Sequence, residues 1–335
     1  TALFDPPSAS APPGTELWWP ERDGGKLTWW PATRSEADDI VTIREVGTGD
    51  VLHRWTTRHH ATVELEHDER KPGDAVVESA LADGKIEDAS GVSYTDAAGV
   101  HSGTDPYTLT LAGERLRMVD FARGRTTPVF EDLEGDVLLT ADGDLTWAAA
   151  DTWKHTKVVE AWLEAREPDH ALLDIQVEAN VNRTDFRCNA YYTGGTINFA
   201  ARYGSCANTG RLGDVIYHEY GHGVHHYGLL AGGFAGDLSE GTADYISASI
   251  LDDPQVGVGF FSDSRFLRDI SIDRIYPDNS NGQVHNDGRI WGSFLWNLRE
   301  AWQQTYGEEL GATRVDELML RAMSQGPSLT TVGDA

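Results

Sequence analysis

The stretch Asp214–Tyr227, D-V-I-Y-H-E-Y-G-H-G-V-H-H-Y, constrains this chain more than any other part of it. Within it His218, Glu219 and His222 stand in H-E-x-x-H spacing. On an α-helix, residues i and i+4 share a face about one turn apart, so both imidazoles point at one place. Glu219 is offset around the helix, where it reaches a water on an ion without ligating the ion. A metal that polarises water, beside a carboxylate that accepts its proton, is a hydrolytic arrangement, and zinc suits these donors.

A catalytic zinc takes three protein ligands and keeps one position open. One scheme needs a third histidine six residues past His222, with a glycine between. Here position 228 is Gly228 and position 225 is His225, so that scheme fails. The other scheme takes a glutamate from the next helix. Ser239-Glu-Gly-Thr-Ala-Asp244 supplies Glu240, 18 residues past His222. Asp244 lies one turn further on the same face, where it accepts a proton from the outer nitrogen of a ligating histidine and fixes its tautomer.

With 335 residues the chain buries a large core, and two domains are expected. A net charge of −27 argues against nucleic acid and against anionic membranes; it suits solubility, a salty medium or divalent cations. No apolar run approaches the ~20 residues that span a bilayer. The first residues, T-A-L-F-D-P-P-S, lack the basic region and apolar core of a signal peptide, which was either removed or never there. The two cysteines, Cys188 and Cys206, are 18 apart and flank a strand-like segment, unlike a C-x-x-C metal or redox pair. We expect one disulfide, in a secreted, extracellular protein.

Residues 1–14 read as a poorly ordered lead-in rich in Pro, Ala and Ser. Residues 15–147 read as a β-rich domain: 27–30, 40–46, 51–55, 62–66, 92–99, 107–111, 116–121 and 136–140 are short β-prone runs, with a hairpin turn at 47–50. His53, His59, His60, His67 and His101 are scattered through it as surface or packing residues. The character changes near Trp147. A helix over 151–165, capped by Asp151 or Thr152, opens a second domain, 148–335. Strands follow at 177–181, 188–192 and 196–200, then the His218 helix, a helix over 238–251, mixed loop and short helix over 257–283, and helices over 286–306 and 312–324. The expected class is α+β, with a β-rich N-terminal region ahead of a domain that becomes mostly helical.

These residues resemble the gluzincin metallopeptidases of the thermolysin and fungalysin group, over about residues 150–330. His218-Glu-x-x-His222 with Glu240-x-x-x-Asp244 carries the resemblance, and three stretches join it. Cys188-Asn-Ala-Tyr-Tyr-Thr-Gly194 is similar to the group's N-A-[FY]-[WY]-x-G edge strand, implying that Asn189, Ala190 and Tyr191 bind extended substrate by strand addition. Arg268-Asp-Ile-Ser271 resembles the segment whose arginine holds a substrate carbonyl beyond the scissile bond. Val284-His-Asn-Asp-Gly-Arg-Ile-Trp291 resembles the H-x-x-G-x-x-W helix start, which gives His285 the task of stabilising the oxyanion. The resemblance implies zinc-dependent hydrolysis of polypeptide bonds, with a zincin catalytic domain. It also departs from the group. Only 17 residues separate His222 from Glu240, and no tyrosine matches the partner of the oxyanion histidine; Tyr227 is nearby but out of register. Calcium-binding acidic clusters are not evident, with Asp252-Asp253, Asp263 and Asp278 as the candidates.

Two other readings stay open. A zinc aminopeptidase shares H-E-x-x-H and the downstream glutamate, but the G-x-M-E-N-type strand that grips a free amine has no counterpart here. An inactive zinc-stabilised binding protein is the third, with residues 15–147 as scaffold, binding module or inhibitory prosegment.

Overall fold

The structure, a computed structural model, describes residues 17–23, 26–34, 40–44, 51–56, 59–229, 236–261 and 265–325, and for those before residue 60 the backbone alone. Four strands come first: β1 (Leu17–Asp23), β2 (Lys26–Arg34), β3 (Ile40–Arg44) and β4 (Val51–Thr56). They form an antiparallel sheet of their own in chain order. The expected turn at 47–50 and lead-in at 1–14 lie outside the described residues. Next come β5 (His59–Asp68), β6 (Val76–Ala80), β7 (Lys85–Asp88), β8 (Gly91–Tyr94), β9 (Val100–Gly103), β10 (Tyr107–Thr110), β11 (Leu116–Asp120), β12 (Val129–Leu133) and β13 (Val137–Leu139). Alternation drives them: Ala61, Val63 and Leu65 of β5 point inward with at most 1% exposure, while their neighbours Thr62 and Glu64 are only half-buried.

The remaining elements are α1 (Trp147–Arg166), β14 (Val177–Arg183), β15 (Ala190–Thr193), β16 (Thr196–Ala200), α2 (Gly213–Gly228), α3 (Gly236–Leu251), β17 (Gln255–Val256), β18 (Arg268–Asp269), α4 (Val284–Tyr306) and α5 (Glu308–Gln325). The class is α+β. No helix among the described residues is long and apolar enough to cross a membrane.

The expected boundary at 147/148 does not divide the core. Strand β11, from the N-terminal half, pairs in parallel with β14 from Leu116↔Val177 to Asp120↔Val181. The resulting sheet runs β11-β14-β16-β15, with β15 at its other end. One buried cluster holds Val63, Leu65 and Leu109 of the first half together with Trp153, Phe199, Tyr220 and Val315 of the second. Joining a parallel strand across the 56 residues between Asp120 and Val177 costs loop entropy that burial of this core outweighs.

Helix α1 also starts earlier than expected. Thr146 caps it, accepting from the Ala149 amide at 3.3 Å and donating to Asp120 at 2.7 Å. The Ala148–Ala150 run favours helix strongly enough to carry it back to that cap. Asp151 and Thr152, the expected caps, are buried one turn in: Asp151 accepts from the Asp68 amide at 2.7 Å and from Arg211 at 3.1 Å. Over 257–283 the described residues contain no helix; β18 lies there instead and pairs with β17, just ahead of that stretch. Gly257 and Gly259 take φ of +77° and +81°, which a helix does not accommodate.

Helices α2, α3 and α4 stack closely because small residues meet at their crossings. A β-carbon at Gly221 of α2 would come within 2.9 Å of Ala243 Cα on α3, and one at Gly241 of α3 would collide with the Gly288 carbonyl of α4. These approaches bring Glu240 beside the histidines of α2.

Candidate active site

His218 and His222 occupy the same face of α2, one turn apart, with ring centroids 4.6 Å from each other. The outer nitrogen of each is engaged. His218 Nδ1 lies 2.8 Å from Asp244 Oδ1, as expected from the one-turn spacing on α3. His222 Nδ1 lies 2.8 Å from the Ser239 hydroxyl, a partner the sequence reading missed. Both Nε2 atoms are thereby turned toward Glu240, at 3.4 Å from Oε2 for His218 and 3.8 Å from Oε1 for His222. The three donor atoms lie within 4.8 Å of one another, and among the described residues this is the group placed to share an ion. The set fits zinc: two neutral imidazoles, one carboxylate and orienting partners behind the rings. One carboxylate oxygen, Glu219 Oε2, is buried here without a hydrogen-bond donor.

Burial and neighbouring charges set the ionisation of these groups. Burial works against a charge on Glu240, yet His218 and then His222 hold its carboxyl down at about 2. Burial likewise opposes ionisation of Asp244, and the Arg268 guanidinium and His218 override it, keeping the carboxyl well below the usual range. His218 is buried too, but Asp244 and Glu240 raise it to about 10; a bound metal displaces that proton. His222, buried and next to His218, falls to about 3 and stays a neutral donor. Burial lifts Glu219 to about 7, with His218 opposing and Glu240 assisting.

A cleft of about 480 Å³ opens over these groups. Strand β15 forms one wall. It is the edge of its sheet and pairs antiparallel with β16 from Ala190↔Phe199 to Thr193↔Thr196. Asn189, Ala190 and Tyr191 line the cleft, but the period of two divides the tyrosines. Tyr191 turns its hydroxyl to Arg183 at 2.7 Å, while Tyr192 faces α2, with its hydroxyl 2.8 Å from His226 and its ring 6.4 Å from that of His222. Tyr192 was not singled out from the sequence; the strand register supplies the signal. Val256, Phe260, Phe261 and Leu267 give the cleft an apolar side that carries no motif.

Arg268 reaches the cleft from β18, and two of its N–H groups grip Asp244, both at 2.7 Å. His285, in the first turn of α4 and half-exposed, places Nε2 3.2 Å from Glu240 Oε1, with Nδ1 2.8 Å from the Gln283 amide. The Gln283 side chain also caps α4 by accepting from Asn286. Cys188 and Cys206 are bonded to each other, beside the start of β15. Tyr227 sits against the Gly195 turn. Of the calcium candidates, Asp252 pairs with Arg299 at 2.8 Å and Asp253 with Arg70 at 2.7 Å, and neither these nor Asp278 belong to a group of described residues placed to share an ion. Asp263 lies outside the described residues.

No family model and no curated protein matches the chain. Among solved structures it is similar to the precursor of protealysin, a metalloproteinase from Serratia proteamaculans, at 14% identity and a TM-score of 0.42, over 63% of this chain and 88% of that one. At that distance the functional reading rests on the geometry of the site itself.

Proposed function

We propose that the chain is a zinc-dependent endopeptidase. The observation that carries this reading is the convergence of His218 Nε2, His222 Nε2 and the Glu240 carboxylate beside the unpaired Glu219 Oε2, in a cleft walled by an edge strand. Zinc held by those three ligands supplies a Lewis acid that makes water nucleophilic near neutral pH.

The chain's own residues do the rest. An extended peptide adds to β15, where Asn189 and Ala190 hold its backbone and Tyr191 borders it. Glu219 takes the proton of the attacking water on its carboxylate and later hands it to the leaving amine nitrogen. His285 donates from Nε2 to the oxyanion, with the Gln283 amide facing Nδ1. Arg268 braces the substrate beyond the scissile bond while it holds Asp244, and Asp244 keeps His218 in the tautomer that presents Nε2. The disulfide supports an exported, extracellular protein.

The test is Glu219→Gln in the purified protein. We expect zinc content to be unchanged and casein cleavage to fall by about 10²- to 10⁴-fold. Undiminished cleavage overturns the assignment. Peptides with blocked N-termini should be cleaved as well as free ones, which an aminopeptidase does not do. Full zinc loading with no cleavage of any peptide would leave the inactive binding protein.

A further inference from the structure

We propose that Arg70 is a positioning residue for this metal centre: it supplies the internal cation that locks the start of α2 to the segment leaving α3. The inference rests on the zinc site proposed above.

Arg70 lies in the turn between β5 and β6, 148 residues before His218. Its Nη1 donates to Asp253 at 2.7 Å, and its Nη2 points to Asp214 at 3.4 Å and to the Gln255 carbonyl at 3.3 Å. Its own carbonyl accepts from the Gly213 amide at 2.8 Å. Asp214 is fully buried in the first turn of α2 and also accepts from the Val258 amide at 2.8 Å. A carboxylate at that depth needs a counter-charge, and among the described residues Arg70 is the cation that pairs with it.

Three connections run from this one guanidinium to the ligands. Through Asp214 it fixes the start of α2, and hence His218 and His222, beside the bond from the Gly213 amide to the Arg70 carbonyl. Through Asp253 it holds the residues that follow α3, the helix of Glu240. Through Gln255 it holds β17, which pairs with β18 at Val256↔Arg268. Arg268 then grips Asp244, and Asp244 orients His218. A planar fork of donors spans such a set of acceptors, whereas a single ammonium does not. The β-rich half therefore reaches the metal centre through a charged contact as well as through the shared core.

The experiment uses the full chain with Arg70→Lys and Asp253→Asn. The Asp253 side chain is 30% exposed, so its neutral analogue leaves the fold intact. Zinc affinity is read by chelator competition with Zn²⁺ alone, the ligand field by the visible spectrum of the Co²⁺-substituted protein, and folding by circular dichroism. We expect zinc affinity to fall about tenfold in Arg70→Lys and about threefold in Asp253→Asn, with displaced cobalt bands in both. Parental zinc affinity and cobalt spectrum in the folded variants overturn the proposal, even with a lowered melting temperature, since Arg70 would then be an anchor only. If Arg70→Lys does not fold, Asp253→Asn decides by the same readouts. These measurements need no substrate. A parent chain that binds zinc and cleaves nothing refutes the peptidase reading and leaves the Arg70 proposal testable; a parent that binds no zinc refutes both.

Discussion

The Ser239 hydroxyl lies 2.8 Å from His222 Nδ1, one residue before Glu240 in the chain. The same turn of α3 thus carries one proposed ligand and the group that aims another. Ser239 is fully buried, so its hydroxyl has little competition from water. Ser239→Ala is expected to weaken zinc binding about tenfold, by freeing the imidazole to rotate, while costing about 1 kcal/mol of stability. Chelator competition and urea unfolding on the same preparation check both figures. Unchanged zinc affinity would mean that packing alone aims the ring.

Gly241 sets the distance between α3 and α4. Any β-carbon there meets the Gly288 carbonyl, a backbone atom that moves only with its helix. Gly241→Ala should cost about 1–3 kcal/mol. Because Glu240 is adjacent and His285 opens α4, zinc affinity should fall in the same variant. A melting curve and a zinc titration that both match the parent would show that the helices separate without disturbing the site.

The parts of this centre that were legible in the sequence are those written at helical spacing. The i to i+4 rule pairs His218 with His222 and Glu240 with Asp244, the need of zinc for a third ligand links the two pairs, and the structure brings all four side chains together. The β15 segment was legible as a strand for the same local reason. What was not legible depends on partners far away in the chain. Ser239 reads as an ordinary helix-start residue until α2 is laid against it. Arg70 sits in a turn that looks like any solvated loop. The pairing of β11 with β14 has no local signature, since parallel register is fixed by what covers the sheet. Tyr191 and Tyr192 could be separated only once the strand's partner was known.

That shared sheet bears on the β-rich half. If residues 1–147 were an inhibitory prosegment, removing them would raise activity. The structure leads to the opposite expectation for part of it. Strands β1–β4 form a sheet of their own, so a chain starting at His59 should fold and bind zinc. A chain starting at Ala148 loses β11 from the sheet that carries β15, the inward face of β5 and the Arg70 contacts, and should be insoluble or unfolded. Expression, solubility and zinc content of the two truncations decide this. A soluble, zinc-loaded 148–335 fragment would restore the prosegment reading.

His155 makes the acid stability testable away from the metal. It is buried, with Nδ1 2.7 Å from the Tyr217 hydroxyl, and burial lowers it from 6.5 to about 3, with His67 adding to the effect. In the unfolded chain it takes a proton near 6.5, so below that pH the unfolded state binds more protons than the folded one. Its contribution is complete above about pH 6.5 and is lost as pH falls toward 3. Burial lowers His67, His101, His170 and His225 in the same sense. Asp151 opposes them in direction: burial pushes its carboxyl up, while the Asp68 amide and Arg211 hold it down. The difference between parent and His155→Gln isolates one group. Between pH 6 and 4, the parent's unfolding free energy should fall more steeply by about 1.4 kcal/mol per pH unit. Parallel urea-midpoint profiles would show that His155 is protonated in the fold.

The Cys188–Cys206 bond ties the residue before Asn189 to a segment whose Cys206 bridges Phe261, on the apolar side of the cleft. It therefore fastens the entering end of β15 to the wall that faces it. Closing a loop between cysteines 18 residues apart restricts the unfolded chain by about 3 kcal/mol. The double variant Cys188→Ala, Cys206→Ala should lose stability of that order and keep its zinc, since no ligand touches the bond. Its effect on catalysis should appear in substrate holding. A loosened strand end weakens backbone contacts made equally in the ground and transition states, which raises KM and leaves kcat nearly constant. Extended peptides, which use more of β15, should show a larger rise in KM than short ones. A fall in kcat at constant KM would instead place the influence of the disulfide on Glu219 or His285, and the edge strand would lose its assigned part in binding.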